Sequence, residues 1–151
     1  MTMDTSVYRI AMQIPVDTDG YLRRECPYCE REFKRSTRRS PSSKKSPNDW
    51  LFCPYCGHQA QSSCWLTKAQ VKFTKIYVAS HVEQRKSHVG FKSLNLLSFR
   101  TQFDVAHAGM SEPNDMARVE MECHPLESIK ISEEWIGNVR CPRCGTAHKA
   151  N

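Results

Sequence analysis

The chain lacks any apolar run long enough to cross a bilayer, and it lacks the apolar core of a secretion signal. No uninterrupted apolar stretch approaches the length of about 18 residues that a transmembrane helix needs. Residues 1–13 carry an early acid and no apolar core, so we expect no export. We therefore expect a protein of the reducing cytoplasm that has no contact with a membrane.

The sequence also lacks the patterns that make a zinc site catalytic. No His-x-Glu precedes a Cys-Pro-x-Cys at the spacing that zinc deaminases use. A cage of four thiolates is closed, whereas a catalytic zinc keeps an open position for water or substrate. We predict a protein that binds rather than catalyses, with no small-molecule substrate.

Three Cys-Pro-x-Cys knuckles are the strongest feature that is present: Cys26–Cys29, Cys53–Cys56 and Cys141–Cys144. Two cysteines on one tight turn direct both sulfurs to a single ion, and Zn²⁺ takes four such ligands in a tetrahedron. Six of the eight cysteines lie in knuckles, and no export signal precedes them. This favours zinc over a disulfide framework, the usual interpretation of such a cysteine count in a secreted chain.

The knuckles predict one complete zinc site and a second that is less regular. The first set is Cys26, Cys29, Cys53 and Cys56. The second set has only three sulfurs, those of Cys123, Cys141 and Cys144. Its fourth ligand is open among His124, His148 and His107, and a metal-free ribbon is the alternative. The eighth cysteine, Cys64, belongs to neither set, and we expect it to be buried and inert.

These sites predict an α+β protein in which two small zinc ribbons of short antiparallel strands flank a helical segment. The expected order is an N-terminal strand and first ribbon (1–62), a helical core segment (63–108), a linker (109–116) and a second, partly degenerate ribbon (117–151). Thr67 and Gln70 form a capping box that predicts a helix from Thr67 to about Arg85. Alternating residues in 119–123 and 129–131 predict strands.

Positive charge is concentrated in one stretch. The formal charge is +6, which falls to about +3 once a four-cysteine and a three-cysteine, one-histidine zinc site are loaded. Residues 31–45 hold seven bases and one acid, in a Ser/Pro-rich segment that predicts a hairpin tip. We predict nucleic-acid contact through Arg35, Arg38, Arg39, Lys44 and Lys45. The alternative is an adaptor that binds a protein partner, or a second copy, through the helix surface.

Several segments resemble bacterial zinc-ribbon proteins of largely unassigned function. They are GYLRRECPYC at 20–29, CPYCGH at 53–58 and LTKAQ at 66–70, and EEWIGNVRCPRCG at 133–145 is similar to the C-terminal ribbon of those proteins. The resemblance implies two ribbons with a helical segment between them, and it implies that the knuckle cysteines are zinc ligands. The resemblance supplies no activity. The adaptor considered above would be a subunit of a larger bacterial complex.

Overall fold

The computed structural model describes residues 12–38, 49–86 and 110–150. Within these ranges the protein is α+β, with eight short strands, one 3₁₀ turn at Ser62–Cys64 and one helix, α1, at Lys68–Lys86. The strands are β1 Tyr21–Glu25, β2 Glu32–Ser36, β3 Trp50–Phe52, β4 Gln59–Gln61, β5 Ala117–Glu120, β6 Ser128–Ile131, β7 Asn138–Arg140 and β8 Ala147–Lys149. No helix in these ranges combines the length and apolar character that crossing a membrane requires.

The chain divides into two compact units. One consists of Val16–Lys68 and Ser111–Asn151 and contains all eight strands. The other consists of Met1–Pro15 and Ala69–Met110 and contains α1 apart from its first residue. Both predicted ribbons therefore belong to a single unit, although residues 69–110 separate them along the chain.

A four-stranded antiparallel sheet joins the two ribbons. Its strand order is β1-β2-β6-β5, so the first hairpin of each ribbon lies side by side with that of the other. The central pairing places Lys34 opposite Lys130 and Arg35 opposite Ile129. The sequence predicts the separate hairpins but not this pairing, because it connects residues that are far apart in the chain.

The second hairpin of each ribbon, β3–β4 or β7–β8, is held to the other by reciprocal backbone hydrogen bonds. The Phe52 amide donates to the Pro142 carbonyl at 2.9 Å, and the Arg140 amide donates to the Pro54 carbonyl at 2.8 Å. Phe52 and Arg140 are equivalent positions, as are the two prolines. The two ribbons are therefore related by an approximate two-fold rotation at this point, as expected for a diverged repeat.

Each ribbon has its own small apolar core beneath the sheet. The first is built from Cys26, Phe33, Leu51, Cys53, Ala60 and Trp65, and the second from Met121, Ile129, Ile131, Val139 and Cys141. Tyr55 packs against both cores. Its hydroxyl donates to the Glu32 carbonyl at 2.8 Å and accepts from the Ser132 amide at 3.1 Å. One side chain thus connects the two ribbons.

The other face of the sheet carries a buried ionic network. The side chains of Lys34 and Lys130 are 0% and 3% exposed, and both ammonium groups contact the same fully buried carboxylate, that of Asp17, at 3.2 and 2.8 Å. Like charges directly opposite each other destabilise a sheet, and an ion left unpaired in the interior costs several kcal/mol, roughly 3–5. Asp17 therefore supplies a counter-ion that is shared by the two lysines that the β2–β6 pairing places opposite each other.

The segment before β5 supplies the remaining partners of the network. Lys34 contacts Glu112 at 2.9 Å, Asp115 at 3.0 Å and the Pro113 carbonyl, while Lys130 donates to Asn114 at 2.6 Å. The predicted linker 109–116 is thus fastened to the sheet over residues 112–115. Lys130 also bonds Asp19 at 2.6 Å, a second carboxylate from the turn before β1 that contains Asp17.

The predicted helix is present at the expected place. Helix α1 begins at Lys68, directly after the predicted N-cap Thr67, and ends at Lys86, one residue beyond the predicted end. The carboxylate of Glu25, the last residue of β1, accepts a hydrogen bond from the Lys68 amide at 3.1 Å. A carboxylate at this end also interacts favourably with the helix dipole.

We expect Asp17→Asn to lower the free energy of unfolding by about 1–3 kcal/mol, since both buried ammonium groups lose a charged partner while keeping other carboxylate contacts. The measurement is urea denaturation at saturating zinc. Asp19→Asn is the matched control, because its side chain is 55% exposed, and it should cost far less. Equal losses in the two variants would contradict the role assigned to Asp17.

Asp17→Asn should also make the free energy of unfolding depend less steeply on pH at acidic pH. Burial raises the pKa of Asp17, but hydrogen bonds from Lys130, from the Tyr21 amide and from Lys34 outweigh it, and the pKa lies below its ordinary value. A depressed carboxyl pKa contributes stability that is present above the unfolded value, about 4, and is lost as the pH falls through the folded value. The difference in stability between wild type and variant should shrink over that window.

Candidate metal centres

The first cysteine cluster has the dimensions of a tetrahedral zinc site. The sulfurs of Cys26, Cys29, Cys53 and Cys56 all lie within 4.8 Å of one another. Cys26 Sγ is 3.7 Å from Cys56 Sγ, and Cys29 Sγ is 3.7 Å from Cys53 Sγ. Two sulfurs bound at about 2.3 Å to one tetrahedral Zn²⁺ stand about 3.8 Å apart. These two sulfur–sulfur separations therefore agree with those around a tetrahedral Zn²⁺.

The knuckle turns share one backbone conformation. In each, the residue after the second cysteine donates its amide to the carbonyl of the first, at 3.0 Å for Glu30 and Gly57 and at 2.8 Å for Gly145. All three of these residues have positive φ, of 58°, 77° and 73°. Glu30 is the non-glycine case, so the first knuckle makes the same turn at a conformational cost.

The second cluster joins three sulfurs and a histidine nitrogen. The potential ligand atoms of Cys123, His124, Cys141 and Cys144 lie within 4.8 Å of one another. His124 Nδ1 is 3.4 Å from Cys123 Sγ and 3.5 Å from Cys141 Sγ, and Cys144 Sγ is 3.5 Å from Cys123 Sγ. A thiolate and an imidazole on one tetrahedral zinc stand about 3.6 Å apart.

The structure places the three candidate histidines differently. His124 belongs to the second cluster. His148 Nε2 is 3.1 Å from Cys123 Sγ but is not one of the mutually close donors, and His107 lies outside the described residues. The sequence offered one signal for His124, its position beside Cys123. Two adjacent ligands require an unusual turn, and only the structure shows that this turn forms.

The loop of the β5–β6 hairpin, residues 121–127, is one residue longer than that of the β1–β2 hairpin, residues 26–31, and its potential ligands have a different spacing. By register, Met121 follows β5 as Cys26 follows β1, and its fully buried side chain fills the core where a cysteine stands in the first ribbon. The ligands move to Cys123 and His124 in a turn closed by the Glu127 amide on the His124 carbonyl at 2.8 Å. The second cluster therefore has four potential ligand atoms, although the spacing of Cys123 and His124 in the sequence differs from that of a knuckle.

Each cluster contains one thiol that ionises readily. Burial raises the pKa of Cys56, but hydrogen bonds from the backbone and ring of His58 and contacts with Cys53 and Cys26 lower it to about 6. Contacts with the hydroxyl and amide of Thr146 lower the pKa of Cys144 to about 6. Thiolates are the form that binds metal, so one ligand of each set is ready at neutral pH.

Of the predicted nucleic-acid residues, two lie in the described part of the chain. Arg35 lies in β2, where its guanidinium pairs with Glu127, and Arg38 is exposed just after the strand. Arg39, Lys44 and Lys45 lie outside the described residues. Lys34 and Arg31 also belonged to the basic stretch, but Lys34 is buried and Arg31 stacks 4.9 Å from the Trp135 ring centroid.

Comparison with protein-family models, with curated proteins and with solved structures finds no match for this chain. The resemblance to bacterial double zinc-ribbon proteins therefore stays a prediction.

We expect Glu30→Gly to stabilise the metal-loaded protein slightly, by less than about 1 kcal/mol. Relief of a left-handed residue is worth about 1–2 kcal/mol, against about 0.4–1 kcal/mol for the added freedom of the unfolded chain. Glu30→Ala is the control, because it also removes the Lys68 contact but keeps the strained φ. Thermal unfolding in excess zinc measures both, and the prediction fails if glycine is no more stable than alanine here.

Proposed function

We propose that this chain is a binding module in which two structural zinc ions hold two ribbons in a fixed relation, and that the basic loop between β2 and β3 contacts nucleic acid. The observation that carries the zinc assignment is the pair of 3.7 Å sulfur–sulfur distances in the first cluster. They agree with the separation of about 3.8 Å that four thiolates adopt around Zn²⁺.

The donor sets favour structural over catalytic zinc. Four cysteines in one set, and three cysteines with a histidine in the other, are the combinations found in structural sites, which leave no coordination position for water. Cys26, Cys53 and Cys141 are also fully buried, so the metal would form part of each apolar core. Loss of metal would then remove the packing as well as the coordination bonds.

We expect two zinc ions per chain by native mass spectrometry and metal analysis. Cys53→Ser should lose one ion and unfold the first ribbon, because structural zinc contributes on the order of 10 kcal/mol to folding. Cys64→Ser is the matched control, since Cys64 is exposed, contrary to the sequence expectation, and belongs to neither cluster. A metal-free wild-type chain that stays folded would rule out structural zinc.

The distribution of charge directs the nucleic-acid proposal to the loop. Residues 16–68 and 111–151 hold 15 bases and 13 acids, a net charge of +2. Two loaded sites would lower this to about −1. The ribbon unit as a whole would then not attract a polyanion, so attraction has to come from a local cluster.

The stretch between Glu32 and Asp49 is that cluster. It contains six bases and no acid. Two of the six, Lys34 and Arg35, have acidic partners within the ribbon unit. The remaining four, Arg38, Arg39, Lys44 and Lys45, flank the Ser/Pro-rich centre and are the residues that we assign to phosphate contact. Their composition favours contact with the backbone over reading of bases.

Changing these four bases together to Ala should abolish salt-sensitive binding to single-stranded DNA or RNA, measured by fluorescence anisotropy. Four phosphate contacts correspond to a salt slope of about 3 on a logarithmic plot, which the variant should lose. The control removes the same charge from exposed bases elsewhere in the ribbon unit: Lys68, Arg118, Arg143 and Lys149. Equal effects of the two quadruple changes would contradict a specific role of the loop.

The alternative function is that of a protein-interaction adaptor, and α1 supports it. Ile76 is 60% exposed on this helix, near the stacked rings of Phe73 and Tyr77. Wild-type protein that binds no nucleic acid at low salt would favour the adaptor. Pull-downs that survive the loop changes but fail with Ile76→Asp would then assign the contact to the helix.

A further inference from the structure

The sulfurs of the two clusters differ in the hydrogen bonds that they accept from neighbouring backbone amides. In the first knuckle, Cys26 Sγ accepts backbone hydrogen bonds from the amides of Tyr28 at 3.4 Å and Cys29 at 3.5 Å. Such bonds stabilise a thiolate and orient it toward the ion. Among the described residues, no backbone amide donates to the sulfur of Cys123, the corresponding ligand of the second cluster.

The turn that carries Cys123 uses its amides elsewhere. The His124 amide donates to the Met121 carbonyl at 3.1 Å, and the Glu127 amide donates to the His124 carbonyl at 2.8 Å. These bonds close the turn that brings Cys123 and His124 to the metal position. The different spacing in the β5–β6 hairpin therefore supplies two potential ligands. It also removes the backbone hydrogen bonds that a Cys-Pro-x-Cys knuckle donates to its first sulfur.

A side chain from β8 lies close to the Cys123 sulfur, which accepts no hydrogen bond from a backbone amide in the described part of the chain. His148 Nε2 is 3.1 Å from Cys123 Sγ. His148 is the central residue of β8, opposite Val139, and the equivalent residue of the first ribbon is Ala60, opposite Leu51 in β3–β4. Ala60 is a buried core residue. The histidine thus stands at a position that the first ribbon fills with a small apolar side chain.

We propose that His148 is the positioning residue of the second metal site, which donates an Nε2–H hydrogen bond to the Cys123 thiolate in place of the backbone amides. A metal-bound thiolate carries no proton, so the imidazole has to be the donor. His124, not His148, is the nitrogen ligand, because only its Nδ1 lies close to the other donors of the set. This inference rests on the proposed metal at the second cluster.

The test titrates the full chain with Co²⁺ and then displaces the cobalt with Zn²⁺ in the presence of a competing chelator. Four-thiolate and three-thiolate, one-nitrogen sites give distinguishable cobalt spectra, so each site is followed separately in one molecule. Loss of an outer hydrogen-bond partner typically weakens metal affinity about 10–100-fold. We expect that loss for His148→Ala at the second site only, with the positions of the cobalt bands unchanged.

Two further variants separate the possible roles. His148→Gln keeps an N–H donor and should recover most of the affinity, whereas His124→Ala should remove the spectrum of the mixed site. Unchanged affinity in His148→Ala would overturn the proposal. A shift of its cobalt bands would also overturn it, since His148 would then be a ligand. Wild-type protein that binds cobalt at the first site alone would refute the metal at the second cluster itself.

Discussion

The pairing of β2 with β6 is the constraint on which the rest of the ribbon unit depends. It sets Lys34 directly against Lys130 in the interior, an arrangement that repels unless carboxylates are supplied to both. Asp17 comes from the turn before β1, and Glu112 and Asp115 come from the segment before β5. The pairing therefore depends on contacts from two other segments of the chain.

The network also explains how a chain with small cores holds two ribbons together. Each core has only five or six buried residues, and small domains rarely gain enough stability from such packing alone. The polar face adds ion pairs on one side of the sheet, and each ribbon also carries a cluster of potential metal ligands. Buried ion pairs add little net stability but specify an arrangement strictly, because each unpaired alternative is costly.

The sequence predicts the local features and not the long-range ones. The knuckle sulfurs, the start of α1 directly after Thr67 and the short strands beside the knuckles follow from spacings of a few residues. The pairing of β2 with β6 and the hydrogen bonds between the second hairpins do not follow from such spacings. Pairing between strands that are far apart in the chain leaves no local sequence pattern. Lys34 shows the consequence: within a basic stretch it is typical of a solvated surface, and only the register of β2 places it in the interior.

The second metal site shows the same limit on a smaller scale. A search for knuckle spacing finds Cys123 alone, so the sequence leaves the fourth ligand open among three histidines, with a metal-free ribbon as the alternative. The geometry of the hairpin supplies what the motif lacks: Cys123 and His124, two and three residues after Met121, bring potential ligand atoms to the cluster, and β8 brings the imidazole of His148 to the exposed sulfur of Cys123. The potential ligand atoms of each cluster come from both hairpins of its ribbon. The fold of the two hairpins together, and not one sequence motif, therefore brings these atoms close to one another.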